Sequence, residues 1–171
     1  KIEALEDIRS KLTWHFIGPI QSNKTRFIAE SFDWVQSIDR LKIAQRLSDQ
    51  RPRDLPDLNI CLQVNISGES SKSGVSPDEA LLTCLDLVEL PNLTLRGLMA
   101  IPEPGVSLQA IKKFSNLFFD IQKHLKRHQF KNKFDTLSIG MSDDLEPAIA
   151  EGSTIVRVGT AIFGKRDKIS K

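Results

Sequence analysis

Leu58-Asn59-Ile60-Cys61-Leu62-Gln63-Val64-Asn65-Ile66, then a polar run from Ser67 to Gly74, then Ser76-Pro77-Asp78-Glu79, is the stretch on which the reading of the fold turns. The first nine residues are apolar and branched, as in a buried strand. Ser76 and Glu79 have the spacing of a capping box, and Pro77 stands at the first helical position, where its missing N–H costs nothing. Leu81, Leu82, Leu85 and Val88 then recur at helical spacing to about Glu89. The stretch is one strand–loop–helix unit.

The same unit recurs on both sides. Downstream, Leu93 to Ile101 reads as a strand interrupted by Gly97 and ended by Pro102, with Pro104-Gly105 continuing the loop. Leu108, Ile111, Phe114, Leu117, Phe118, Ile121 and Leu125 form one face of the longest helix, whose end is basic. Phe134 to Ile139 is the next strand. Ser142 is placed to cap a short helix with Asp143 and Asp144 in its first turn, and Gly152 to end it. Thr154 to Val158 is a sixth strand, followed by Gly159 and a helical turn to Phe163. Upstream, residues 1–12 place Ile2, Leu5, Ile8 and Leu12 at helical spacing, and Trp14 to Ile17 is a short strand closed by Gly18-Pro19. Residues 22–32 read as a helix with Ser22 as N-cap and Phe27, Ile28 and Phe32 on its buried side. Trp34 to Ile38 is a strand, and Asp39 caps a helix carrying Leu41, Ile43, Ala44 and Leu47 that stops at Arg51-Pro52.

Apolar strands alternating with amphipathic helices predict an α/β fold with a parallel sheet. A doubly wound sheet normally carries a glycine-rich first turn followed by an acidic residue, and that fingerprint is absent. The competing architecture, a (β/α)8 TIM-type barrel, needs eight strands and about 250 residues. Six βα units in 171 residues fall two short, and two more would add roughly 60 residues. With Lys1 and a helix opening the chain, the expectation is a single (β/α) barrel domain over 1–171 that lacks its first two strands.

Composition narrows the function. The chain is 40% hydrophobic and 27% charged, with 24 Lys+Arg against 22 Asp+Glu. A net charge of +2 without a basic stripe speaks against nucleic acid, and no apolar run approaches the roughly 18 residues of a membrane span. No secretory signal opens the sequence. Cys61 and Cys84 lie in apolar stretches without metal-ligand spacing to each other or to His15, His124 and His128, so a reduced, cytoplasmic protein is the simplest reading. There is no tyrosine to serve as acid or base.

In barrels, function gathers at the C-terminal ends of the strands, and phosphate at the loops after the last two. Those loops are Ser138-Ile139-Gly140-Met141-Ser142 and Val158-Gly159-Thr160-Ala161. Each sets glycine beside a hydroxyl residue ahead of a helix, which suits an anion. The pattern leaves open that they are ordinary strand-to-helix turns. Arg157 shares a face with Ile155 and points to the barrel interior or mouth, where a carboxylate or a bound ligand must meet its charge. His15 reads as a structural histidine. Gln21, Asn23 and Lys24, and the loop Asn65–Gly74 with Lys72, read as solvated strand-end segments or as parts of a mouth. Lys123, Lys126, Arg127, Lys131 and Lys133 read as a helix end whose cations suit its dipole.

Five segments carry a resemblance. Trp-His-Phe-Ile-Gly-Pro-Ile-Gln-Ser-Asn-Lys (14–24), Asn-Ile-Ser-Gly-Glu-Ser-Ser-Lys-Ser-Gly (65–74), Arg-Gly-Leu-Met-Ala-Ile-Pro (96–102), Leu-Ser-Ile-Gly-Met-Ser-Asp-Asp (137–144) and Gly-Ser-Thr-Ile-Val-Arg-Val-Gly-Thr-Ala-Ile-Phe-Gly (152–164) stand in the order of one family. Together they closely resemble the pyridoxal phosphate homeostasis proteins. The resemblance implies a barrel of the alanine racemase N-terminal type that binds pyridoxal 5′-phosphate (PLP). It implies a carrier in vitamin B6 homeostasis that holds PLP and delivers it to PLP-dependent enzymes, without catalysis of its own. It places the phosphate around Ser138, Gly140, Met141 and Ser142 and at Gly159 and Thr160, Arg157 at the pyridine nitrogen, and Met99 near the ring. The family's Schiff-base lysine lies in an Ala-Val-Ser-Lys motif on the first barrel strand, and no such segment occurs among these residues, nor does the Gly-Glu-Asn motif of the second strand. The resemblance thus implies a cradle for PLP without covalent attachment at the usual lysine. The alternatives are a PLP-dependent racemase or decarboxylase of the same barrel, a barrel enzyme acting on a phosphorylated metabolite, and a swapped oligomer without ligand.

Overall fold

The computed structural model describes residues 2–67, 73–102, 107–128, 130, 133–142 and 144–164. Lys1, Lys72 and most of its loop, Pro104-Gly105, Lys131 and Asp143 lie outside the described residues. Strands β1 (His15–Phe16), β2 (Trp34–Ile38), β3 (Leu58–Gln63), β4 (Leu93–Met99) and β5 (Thr136–Ser138) alternate with helices. These are α1 (Thr25–Ser31), α2 (Leu41–Gln50), α3 (Ala80–Val88), α4 (Leu108–Arg127), α5 (Leu145–Ala150) and α6 (Thr160–Phe163). The strands form one sheet in the order β1-β2-β3-β4-β5, and every neighbouring pair is parallel. Sequence order and spatial order coincide. A doubly wound sheet reverses its strand order at a switch point, whereas a chain winding always the same way makes a barrel. The architecture is α/β, an incomplete barrel.

The two faces of the sheet differ in chemistry, because successive strand residues point to opposite sides. Val35, Ile60, Leu62, Leu95, Leu98 and Leu137 pack with Ala29, Ile43, Leu47, Cys84, Phe114 and Ile121 of the helices in one continuous core. Gln36, Cys61, Gln63, Met99 and Ser138, each next in sequence to one of those strand residues, are also buried, but they lie outside that core. They form the inner face.

That face is concave. Ser138 Oγ on β5 donates to Gln36 Oε1 on β2 at 2.6 Å, although β3 and β4 lie between them. In a flat sheet three strand spacings would separate these residues by about 14 Å. Only a strongly curled sheet brings the two side chains together. The Arg96 guanidinium of β4 likewise lies 4.7 Å from the Trp34 ring centroid of β2, and it donates to Asn59 Oδ1 and to both oxygens of Asp135. Where β4 meets β5 the backbones come so close that a Cβ on Gly97 would fall 1.7 Å from the Thr136 carbonyl oxygen.

The Ser76–Glu79 capping box forms as the sequence predicts, with Ser76 Oγ accepting from Glu79 N and Glu79 Oε2 from Ser76 N. Gly152 adopts a positive φ of 92° at the end of α5, as a helix-ending glycine does. Several local expectations are corrected. The opening segment is a 3-10 helix, Glu3–Lys11, kinked at Leu5. Leu5, Ile8 and Leu12 are exposed, so no buried stripe holds it in α form. Neither Ser22 nor Asp39 caps through its side chain, and Asp39 pairs with Arg40 instead. Phe27 is 54% exposed, while Ile28 and Ala29 face the core. Asp144, not Ser142, stands at the N-cap of α5. The sixth strand shrinks to a single bridge between Ser138 and Ile155. The Leu137 N–H is taken by Thr154 Oγ1, and Ser153 Oγ donates to the Ile139 carbonyl. Side chains thus occupy backbone groups a longer ladder would use.

Two substitutions test this account. Gly97→Ala is expected to cost about 3 kcal/mol or to prevent folding, since the contact it creates is with backbone that cannot move aside. Ser76→Ala removes only the helix cap and should cost about 1 kcal/mol. Urea denaturation checks both, and equal costs for the two would sink the close-approach argument.

Candidate functional site

The concave face opens, at the C-terminal ends of the strands, into a cavity of about 540 Å3. Its walls come from both ends of the sheet. His15 and Gln36 stand on one side, Met141 and Ser142 of the β5–α5 loop on another, and Arg157 to Thr160 close the third.

Arg157 is the charged residue among the described residues of its walls. The segment that carries it is anchored by Arg157 N donating to the Gly140 carbonyl at 2.9 Å. The guanidinium donates through Nη1 to Ser138 Oγ at 2.6 Å and through Nη2 to the Ala100 carbonyl at 2.7 Å. Both acceptors are neutral, and among the described residues no ion pair involves Arg157. Burial pulls its pKa below the ordinary value, with Asp144 and Cys61 acting in the opposite direction. A half-buried cation on neutral acceptors keeps charge available to a ligand acceptor. Of the two readings left open by the sequence, a carboxylate partner and a ligand, the contacts leave room for the second.

From Arg157 a network crosses the inner face. Ser138 Oγ links it to Gln36, and Gln36 Nε2 lies 2.8 Å from His15 Nδ1. The His15 ring stacks on Trp34, with centroids 5.1 Å apart and planes 13° from parallel. Burial holds the His15 pKa below its usual value, against the attraction of Asp33. Cys61 lies on the same face, and burial pushes its thiol up to about 12 despite the pull of Arg96 and Arg157. It is no nucleophile at neutral pH.

The sequence-predicted residues fall into two groups. Met141, Ser142, Arg157, Gly159 and Thr160 line the cavity together. Gly159 has nothing within 4 Å of where a Cβ would stand, so its backbone is open to a ligand. The first N–H groups of α6 have no partner in the helix's own ladder. Ser138, Gly140 and Met99 are fully or nearly enclosed behind them. Gly140, at φ 107°, lies where a Cβ would press on Ala148 and Val156. Met141 N–H is already given to Asp144 Oδ1 at 2.7 Å, and Asp144 Oδ2 is buried without a partner among the described residues. Gln36 was missed by sequence reasoning, and His15 was read as purely structural. The available signal for Gln36 was its period-two relation to Trp34, which places a polar amide on the inner face.

The model of the alanine racemase N-terminal domain family matches residues 2–167. The pyridoxal phosphate homeostasis protein of Pseudomonas aeruginosa is 59% identical over 160 residues, covering 91% of this chain and 66% of that protein. That of Haemophilus influenzae is 50% identical over 171 residues, covering 98% and 70%. The chain thus spans about two thirds of the length of these curated relatives. Among solved structures, PipY of Synechococcus elongatus with PLP bound aligns at a TM-score of 0.79 and 32% identity, covering 95% of this chain and 76% of that one. An alanine racemase of Clostridium difficile, 12% identical with a TM-score of 0.66, shares the fold. By these measures, with its singly wound parallel strands and its cavity at their C-terminal ends, the chain belongs to the alanine racemase N-terminal domain family and, within it, to the pyridoxal phosphate homeostasis proteins.

Proposed function

We propose that this chain provides the phosphate and ring-nitrogen side of a PLP site, in a barrel protein of vitamin B6 homeostasis that holds the cofactor and passes it to PLP-dependent enzymes. The observation that carries the reading is Arg157, a cation held on two neutral acceptors beside two loops of glycine and hydroxyl residues. PLP, when bound, supplies an electrophilic carbonyl and an electron-accepting ring. The residues of the chain bind and orient it. Ser142, Gly159 and Thr160 offer hydroxyl and backbone donors to the phosphate. Met141 bounds the cavity between them. Arg157 faces the pyridine nitrogen, and a fixed positive charge there disfavours a proton on that nitrogen. The ring is then a weaker electron sink, which suits storage better than turnover.

Ser138, Gly140 and Met99 act from behind the cavity. Ser138 fixes the guanidinium, Gly140 anchors the Arg157 backbone through its carbonyl, and Met99 fills the inner face. The contacts proposed here for Ser142, Arg157, Gly159 and Thr160 are hydrogen bonds and electrostatic contacts. A cytoplasmic setting is supported by Cys61 and Cys84, both free and buried. No helix among the described residues is long and apolar enough to cross a membrane.

PLP titrated into the chain is expected to quench Trp14 and Trp34 fluorescence to saturation. Pyridoxal, lacking the phosphate, should bind on the order of ten- to a hundredfold more weakly, the worth of charge-assisted hydrogen bonds. Arg157→Met should weaken PLP by at least about tenfold, and Arg157→Lys should restore part of the loss. No saturation with PLP, or equal affinity for sugar phosphates, would overturn the proposal in favour of a phosphometabolite site.

A further inference from the structure

The hydrogen-bond network across the inner face has a direction, because one of its ends can only donate. Arg157 has no acceptor atom, so Ser138 Oγ accepts from it. Ser138 is fully buried, and its own proton must also find a partner. Gln36 Oε1, 2.6 Å away, is that acceptor. The carboxamide is thereby oriented. Its Nε2, which only donates, meets His15 Nδ1 at 2.8 Å. Turning the amide over would aim a second donor at Ser138 Oγ and leave the hydroxyl proton without its acceptor.

His15 Nδ1 must then carry a lone pair. The neutral ring keeps its proton on Nε2, and the doubly protonated ring is excluded because it would set N–H against N–H. One ring face is covered by Trp34, and Nδ1 is taken by Gln36. What His15 brings to the cavity it lines is its other face and the edge bearing Nε2–H.

We propose that Gln36 is a positioning residue which, held by Arg157 through Ser138, fixes His15 as the neutral Nε2–H tautomer, so that the cavity offers two preset donors, a charged one at Arg157 and a neutral one at His15. A ligand suited to the cavity carries acceptors at both places and no donor opposite His15. The match to PLP, whose ring oxygen and nitrogen are acceptors, rests on the function proposed above. The relay itself rests on this chain alone. Burial, which lowers the His15 pKa, acts in the same sense; the charged groups around the relay are Asp33, which acts on His15, Arg157 with Asp144 acting on it, and Arg96 over the Trp34 ring.

The test is nitrogen-15 NMR of the imidazoles, in a chain carrying His124→Gln and His128→Gln so that His15 is the sole histidine. The spectrum is expected to show the Nε2–H pattern, unchanged at about pH 6.5, where an ordinary histidine is half protonated. Gln36→Glu keeps an acceptor for Ser138 but also invites a proton onto Nδ1, and should convert His15 to the charged ring at that pH. If that variant fails to fold, Gln36→Leu should yield a mixture of tautomers. An Nδ1–H pattern in the parent chain, ordinary titration there, or an unchanged tautomer in both Gln36 variants overturns the proposal. A PLP titration separates the two readings. Absence of PLP binding with the Nε2–H pattern intact overturns the function above and leaves the relay standing. PLP binding that is several-fold weaker in His15→Phe supports the donor role, and unchanged affinity in that variant overturns it.

Discussion

The hydrogen bond between Ser138 and Gln36 is the constraint from which the rest can be understood. It joins β5 to β2 over two intervening strands and is possible only in a curled sheet. Curvature has two consequences. It drives the outward residues of β2, β3 and β4 against the helices, where they make the apolar core. It also compresses the inward residues into a small space that is lined by polar groups and must be fully hydrogen-bonded. The close approach at Gly97 is the local signature of the same bend.

Much of this was legible in the sequence, and unevenly so. The strand–helix alternation was clear, because Leu58–Gln63 and Leu93–Met99 are apolar strands and Ser76-Pro77-Asp78-Glu79 is an unambiguous helix start. Local signals failed where another group, near in sequence or far, supplied a better partner. Asp39 carries a capping side chain, but Arg40 engages it. Ser142 precedes two acids, but Asp144 takes the cap position and holds the Met141 N–H. Thr154 to Val158 has strand-like residues, yet Ser153 and Thr154 bond to β5 through their hydroxyls, and the ladder stops at one bridge.

The candidate site divides along the same line. Met141, Ser142, Gly159 and Thr160 could be named from sequence because barrel function lies at strand ends and glycine beside hydroxyl marks their loops, and Arg157 because it alternates with Ile155. Ser138, Gly140 and Met99 belong to the same segments but support the cavity from behind. Gln36 was not legible as a site residue, since it sits mid-strand and its importance depends on residues about a hundred positions away. Periodicity within a strand says which face a residue takes, but it cannot say which distant strand will curl over to meet it.

The neighbour-to-neighbour strand order bears on how the chain reaches this state. Each strand pairs with the one that precedes it, so every ladder closes a modest loop and the sheet can grow unit by unit. The bond from Gln36 to Ser138 spans 102 residues, and it cannot form until β3 and β4 are in place. The cavity walls therefore come together only when the sheet is complete, and a partly assembled chain presents no site. The walls of the cavity are thereby tied to the last ladder of the sheet, the one between β4 and β5.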